Sequence, residues 1–262
     1  MAKKVSGLRE IDVSKIGWLY AHNSRQCAVD SVADKQGTSY GSALADLAAD
    51  AESTDSEGRL KYTPNKKDGT AEGLVIPLLD GWDAKQGVLE VVTVAEFARL
   101  ESMRTGQPVT PEMVVQMVRD DRETILKVWE QSDAFRSLCE TARQLWEEDP
   151  EYIAVCGYRR SIGMIGAVHR RRTAGKPLAY PVACEVTVHG SPVELLESNI
   201  RENLGKDQGR RLYAPLDYLR QAVLMLAAGG KEADLCRAGV RRGTAQKVWA
   251  TVCLDRAYPD VK

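Results

Sequence analysis

Apolar and polar residues alternate in three stretches of the chain, at residues 8–16, 152–156 and 181–188. Alternation with a period of two is typical of half-buried β-strands, so each stretch predicts a strand. Two further short apolar runs, at residues 74–79 and 88–94, also predict strands. The polar stretch between residues 52 and 73 is rich in turn-forming residues and predicts a loop or hairpin.

Helical periodicity accounts for most of the remaining sequence. Residues 94–148 read as helical, with predicted starts at Thr93 and at Thr110-Pro111. An apolar stripe in this stretch predicts core packing, and its members are Trp129, Phe135, Leu138, Ala142 and Leu145. Further helices are predicted at residues 43–51, at 161–172, and from the capping-box pattern Ser191–Glu194 to about residue 204.

The pattern changes near residue 210, after which every segment reads as helical. The sequence therefore predicts an α/β domain over residues 1–209 and an all-α domain over residues 210–262. The helices between about residues 75 and 149 form an insertion within the first domain, and residues 94–149 are a candidate surface for a protein partner.

Composition narrows the function classes. The formal net charge is −1 over 262 residues, so the whole chain carries no strong field toward nucleic acid. The six cysteines form no C-x-x-C pair, which argues against a zinc site and predicts buried free thiols in a reducing cytoplasm. Because no apolar run approaches the roughly 20 residues needed to span a bilayer, we expect no membrane association.

The segment around Gly157 has the composition of a phosphate site. A strand leads into Gly157, and Arg159 and Arg160 follow at a predicted helix start. Glycine there allows the backbone to approach a ligand closely, and a helix N-terminus offers N–H groups to an anion. Guanidinium groups add forked, charge-assisted donors. A solvated surface pair of arginines is the alternative interpretation.

A second basic run, Arg170, Arg171 and Arg172, lies at the predicted end of the same helix. These cations predict a DNA-facing patch, or they simply complement the negative end of the helix dipole. The sequence leaves both interpretations open.

The C-terminal residues predict a helix-turn-helix. A helix over residues 216–227 ends at Gly229-Gly230, and Gly239 lies in a tight turn before the last helix. The outward side chains at its start would suit phosphates and base edges in a major groove, and they are Arg241, Arg242, Thr244, Gln246 and Lys247. A three-helix bundle with a solvated charged face is the alternative.

The order of these parts resembles the ParB family of partition proteins and the wider ParB/sulfiredoxin superfamily. Residues 152–160 resemble the family's arginine box after a strand, and Asn23-Ser24-Arg25 resembles its front box. Glu202-Asn203-Leu204-Gly205-Lys206 resembles the family's E-N-x-x-R element, and a helix-turn-helix follows it. The resemblance implies a small mixed sheet with flanking helices, followed by a helix-turn-helix domain.

The resemblance also implies ligands and roles. Members of this family bind CTP with Mg²⁺ and recognise double-stranded DNA. The implied nucleotide contacts are Arg25, Gly157, Tyr158, Arg159, Arg160, Asn203 and Lys206. Glu202 would act on the magnesium ion or position water, as the catalytic and metal-binding residue.

Two positions depart from the family pattern. Tyr158 stands where an acidic residue or histidine is usual, and Lys206 where arginine is common. The sequence ends at Lys262 without the dimerisation domain of chromosomal members, so we expect a short phage or plasmid form acting in DNA partition or transcriptional regulation. A homodimer, a ParB-like nuclease or phosphotransferase, slow nucleotide hydrolysis, and an adaptor with a degenerate nucleotide site remain open.

Overall fold

A computed structural model of the chain describes residues 4–19, 81–82, 87–131, 133–204 and 215–257. Its strands form one mixed sheet of order β1-β5-β3-β4-β2. The strands are β1 (Lys4–Asp12), β2 (Ile16–Gly17), β3 (Leu89–Thr93), β4 (Tyr152–Ala154) and β5 (Pro181–Val188). The pairs β1–β5 and β3–β4 are antiparallel, whereas β3–β5 and β2–β4 are parallel.

The sheet must be strongly curled. Strands β1 and β2 are its two edges, yet only the short 3₁₀ helix Val13–Lys15 joins them. Four steps of chain reach about 14 Å, whereas four strand spacings in a flat sheet span about 19 Å. Asp12 holds this corner, because one carboxylate oxygen accepts from the Ser14 N–H and the other from the Tyr180 N–H, both at 3.0 Å.

Eight α-helices lie in the described residues. They are α1 (Val94–Thr105), α2 (Pro111–Glu130), α3 (Asp133–Leu145), α4 (Tyr158–Thr173), α5 (Pro192–Leu204), α6 (Pro215–Ala227), α7 (Glu232–Arg237) and α8 (Arg242–Ala257). The mixed α/β organisation expected from the sequence is confirmed. Residues 43–51, 52–73 and 74–79, for which a helix, a loop and a strand were predicted, lie outside the described residues.

Local capping chemistry explains where several helices begin. The Thr93 hydroxyl accepts from the Glu96 N–H at 3.1 Å, and the Ser191 hydroxyl accepts from the Glu194 N–H at 3.3 Å. Pro111 occupies the first position of α2, where its missing N–H is no loss. The starts predicted for α1, α2 and α5 are thereby confirmed. Helix α4 begins at Tyr158, three residues earlier than residue 161, so the arginine pair lies within its first turn.

The predicted apolar stripe packs inside the molecule. Trp129, Leu138, Ala142 and Leu145 are buried in the main core cluster, which also holds residues of β1, β3 and β5. The side chain of Phe135 lies outside the described residues. The four described members of the stripe are therefore core. Strand β3, within the predicted insertion, lies at the centre of the sheet.

Helix α5 joins the sheet to the C-terminal helices. Its Leu195 packs against the cluster beneath β3 and α1, whereas its Ile200 is buried with residues of α6, α7 and α8. Glu197, on the same helix, accepts from the Arg237 guanidinium at 3.1 Å. A movement of the C-terminal helices would therefore change the packing contacts of α5. Of the helices described, none is both apolar and long enough to cross a bilayer.

Candidate functional site

The turn from β4 into α4 depends on Gly157. Its φ of +76° lies in the left-handed region, and it caps the helix without a side-chain hydrogen bond. Before it, the Val155 N–H donates to the Glu90 carbonyl at 2.9 Å, which ties the turn to β3. A residue with a side chain is strained at this φ, so glycine is required by the turn itself.

Packing also requires glycine at this position. A Cβ at Gly157 would lie 2.8 Å from Leu89 Cδ1 and 3.2 Å from the nearest atom of the Trp82 ring. The space that a side chain would occupy is therefore filled by the protein's own core. The close approach expected here is an approach to Leu89 and Trp82.

Arg160 is held by two partners from distant parts of the chain. Its guanidinium lies 2.7 Å from Glu202 Oε1 on α5 and 4.9 Å from the centroid of the Trp82 ring. The Arg160 side chain is 13% exposed and that of Glu202 is 22% exposed, so the pair is mostly removed from water. The structure thus brings together Gly157, Arg160 and Glu202, which the sequence assigned to one site.

The structure describes the other predicted nucleotide contacts only in part. Tyr158 is buried in the main core cluster and also lines a cavity shared with residues of α1 and α5. Arg159 and Asn203 lie in the first turn of α4 and the last turn of α5, but their side chains are outside the described residues. Arg25 and Lys206 are outside them altogether.

Two residues of this region were missed by sequence reasoning. Trp82 covers Arg160, and its indole N–H donates to the Gly87 carbonyl at 2.7 Å. Glu90 is the second residue of the apolar strand β3, and its Oε1 is 3.0 Å from His189 Nε2 and 3.1 Å from the Thr187 hydroxyl. A carboxylate inside an apolar strand is unusual because it needs polar partners. This unusual position was the sequence signal from which Glu90 could have been found. Trp82 carried no comparable signal.

Cys156, directly before Gly157, is an unreactive thiol. Burial raises the pKa of Cys156 to about 12, the negative charge of Glu202 adds to the increase, and the positive charge of Arg160 opposes it. The thiolate is the nucleophilic form of cysteine, and at neutral pH this site disfavours it. The geometry agrees with a structural role, as the alternating strand predicted.

The described residues include no cluster of three or more His, Cys, Asp or Glu side chains that could hold a metal ion. Glu202 lies against a guanidinium instead. Mg²⁺ commonly uses one or two carboxylates together with substrate phosphates. The arrangement therefore fits magnesium only as an ion that arrives with a nucleotide.

The basic run at the end of α4 makes contacts within the molecule. The Arg171 guanidinium lies 5.5 Å from the Tyr180 ring centroid, and Arg172 lies 3.9 Å from Glu140 Oε1. Arg170, like both of these, is half-buried. These positions suit the packing and dipole interpretation, and they leave DNA contact by Arg170, Arg171 and Arg172 as a prediction.

The helix-turn-helix segment consists of α7, a turn at Gly239 and α8. Gly239 has φ of +101°, the conformation for which glycine was predicted there. Ala238, Val240, Ala245 and Val252 are buried against α6 and α7, which fixes how α8 packs. Ala245 and Val252 therefore form the inward face of α8.

The outward face of α8 carries the predicted DNA contacts. Arg241, Arg242, Gln246 and Lys247 are exposed and Thr244 is half-buried. Arg241 precedes the helix, and its carbonyl accepts from the N–H groups of Thr244 and Ala245, both at 2.9 Å. Among the residues that the structure describes, Arg241, Arg242 and Lys247 have no ion-pair partner, in contrast to Arg160 and Arg237.

Comparison with known proteins finds no match for this chain. No family model matches the chain, and neither a curated protein nor a solved structure matches it.

Proposed function

We propose that this chain binds double-stranded DNA in a sequence-specific manner and contacts it through the start of α8. The observation that carries the proposal is the exposed group Arg241, Arg242, Gln246 and Lys247 beside the Gly239 turn. In helix-turn-helix proteins the first residues of the second helix reach the base edges. The same residues would be a solvated face if the three helices were only a bundle.

The residue types on α8 divide into two roles. Lys247 and Arg241 supply charge for phosphate oxygens, which gives affinity that falls with salt. Arg242 offers a forked donor that suits guanine O6 and N7, and Gln246 suits adenine N6 and N7. Thr244 is half-buried and would contact DNA only at its hydroxyl. This distribution combines positioning with base recognition.

We also propose that a nucleoside triphosphate, CTP by the family resemblance, binds at the start of α4. Support comes from the N-terminus of α4, which has no side-chain cap, and from the proximity of Arg160 and Glu202. Because Arg160 is paired with Glu202, triphosphate binding requires Arg160 to exchange a carboxylate for a phosphate. Mg²⁺ bound with the nucleotide would compensate Glu202 after that exchange.

Helix α5 would connect the two sites. Glu202 belongs to the last turn of α5, and Glu197 on the same helix is bonded to Arg237 of α7. An exchange of partners at Glu202 would thus act on a helix that touches the helix-turn-helix. The nucleotide would then alter DNA affinity by biasing one arrangement of α5.

Selection of DNA from a random pool tests the main proposal. The protein is incubated with a pool of duplexes carrying a random 20-base-pair core, and bound duplexes are amplified through successive rounds. We expect a consensus duplex that binds at least about 10³-fold more tightly than a scrambled one at physiological salt. The selection and the affinity measurements are repeated with CTP, ATP, GTP and UTP in the presence of Mg²⁺.

Two results would contradict the proposal. Enrichment of no sequence would leave α8 as part of a structural bundle. An equal affinity for the consensus and scrambled duplexes would show charge-driven binding without sequence recognition. A consensus without any nucleotide effect would retain the DNA proposal and remove the nucleotide one.

A further inference from the structure

A cavity of about 260 Å³ lies between α1, α5 and the C-terminal end of α6, and its lining includes Tyr158 but neither Arg160 nor Glu202. Phe97 and Leu100 of α1, Leu195 of α5 and Leu224 of α6 contribute apolar walls, and Ile153 of β4 contributes to the floor. The lining is predominantly apolar, which is the usual composition of a small-molecule site.

The charges in the wall of this cavity cancel. Glu101 is only 5% exposed, and its two carboxylate oxygens accept three hydrogen bonds from Arg104, at 3.0, 2.9 and 2.6 Å. A charged ligand would have to compete with this pair or lose its own hydration without a partner. The cavity therefore favours an uncharged occupant.

The lining of the cavity contains few uncharged polar side chains. Asn199 donates from Nδ2 to the Val155 carbonyl at 2.5 Å, so part of its amide is already used. Tyr158 is buried and contributes the other uncharged polar side chain of the lining. Buried polar groups are normally hydrogen-bonded, so a polar group on an occupant would find its partner at Asn199 or Tyr158.

We propose that this cavity binds an uncharged, mainly apolar small molecule carrying one polar group such as a hydroxyl. An apolar cavity of about 150 Å³ accommodates benzene, so the larger volume here suits a molecule with about two rings. Because α6 supplies one wall, and α1, α5 and β4 the others, the occupant contacts both the sheet and the C-terminal helices.

Calorimetric titration of the full chain with 1-naphthol tests this proposal. The probe is uncharged at pH 7, has two rings and carries one hydroxyl. We expect one molecule bound per chain, with a dissociation constant on the order of 0.1 mM for a ligand of this size. Leu224→Trp, which fills the cavity from α6, should abolish binding.

Val223→Trp is the matched control, because Val223 is the neighbouring residue on α6 and is 48% exposed. This variant should bind 1-naphthol as the unmodified chain does. Leu195→Trp fills the cavity from α5 and provides a second test if Leu224→Trp does not fold, as judged by circular dichroism.

Absence of binding to the unmodified chain would overturn the proposal, as would undiminished binding to a folded cavity-filling variant. An equal loss in Val223→Trp would also overturn it. The titration contains no DNA and no nucleotide, so its result is independent of the function proposed above.

Discussion

Arg160 on α4 and Glu202 on α5 are joined by a 2.7 Å ion pair beneath the Trp82 ring. The pair links the turn after β4 to the helix that leads into the C-terminal unit. Each residue therefore neutralises much of the charge of the other. Nucleotide binding at this site is therefore predicted to be an exchange of partners.

Glu202→Gln tests this exchange together with the metal role of Glu202. In the unmodified chain, we expect Mg²⁺ to strengthen CTP binding. In the variant, the Mg²⁺ effect should disappear, while binding without Mg²⁺ should tighten because Arg160 no longer has a competing carboxylate. Titrations with labelled CTP, with and without Mg²⁺, measure both effects.

Glu123→Gln serves as the control for this titration, because Glu123 is an exposed carboxylate on α2 that forms a surface ion pair with Lys127 one helical turn away. It should leave all CTP affinities unchanged. The same Mg²⁺ dependence in Glu202→Gln and in the unmodified chain would rule out a role for Glu202 at the metal.

Gly157→Ala should destabilise the fold more than Gly106→Ala. Both glycines have positive φ, at +76° and +69°, but only a Cβ at Gly157 meets other atoms within 4 Å. Left-handed strain costs about 1–2 kcal/mol at either position, and overpacking adds about 1–3 kcal/mol at Gly157. Urea unfolding of both variants measures the difference, and equal losses would contradict the packing assigned to Gly157.

Cys156 and Cys253 should differ in their reaction with iodoacetamide at pH 8. Cys156 is buried with its pKa raised to about 12, whereas Cys253 is exposed. Peptide mapping by mass spectrometry should find Cys253 alkylated in the folded protein and Cys156 alkylated only after unfolding. Rapid alkylation of Cys156 in the folded protein would show that the turn before α4 opens readily.

The raised thiol pKa values also predict how stability depends on pH. Burial raises the pKa of both Cys156 and Cys184 to about 12 from 9.0. Because the folded chain retains these protons where the unfolded chain loses them, their stabilising contribution is complete below pH 9 and declines as pH rises toward 12. The free energy of unfolding should fall by up to about 1.4 kcal/mol per pH unit for each thiol, and Cys184→Ala should reduce that slope.

Local signals predicted the elements well. Thr93, Pro111 and Ser191 marked helix starts by capping chemistry that acts within a few residues, and Gly239 marked a turn through its own backbone preference. The sheet order was beyond such signals, because β3 gains its central place only by pairing with strands distant in sequence.

At the candidate site, too, the sequence predicted the local motifs but not the packing between distant residues. The family resemblance assigned Gly157, Arg160 and Glu202 to one site, and the structure pairs Arg160, in the first turn after Gly157, with Glu202. The sequence could not show that Trp82 and Leu89 fill the space beside Gly157, because that packing joins residues about 70 positions apart. The resemblance itself remains a prediction.

If the cavity and the proposed DNA function are both present, 1-naphthol should change DNA affinity. The cavity wall includes Leu224 of α6, and helix α6 packs with α7 and α8. Occupation of the cavity should therefore bias the position of α8. We expect a change of about fivefold or more, measured by fluorescence anisotropy with a selected duplex. Leu224→Trp should remove the response, and an unchanged affinity in the unmodified chain would contradict this coupling.

The most direct test of the central claim is the salt dependence of DNA binding by Arg242→Ala/Lys247→Ala, measured with the selected duplex over a series of KCl concentrations. A control with the same charge change is Arg119→Ala/Lys127→Ala, at two exposed positions on α2. We expect the α8 variant to bind more weakly, with a log–log salt slope smaller by about 2, and the α2 variant to keep the original slope. Equal slopes and affinities for the α8 variant and the unmodified chain would contradict DNA recognition by α8.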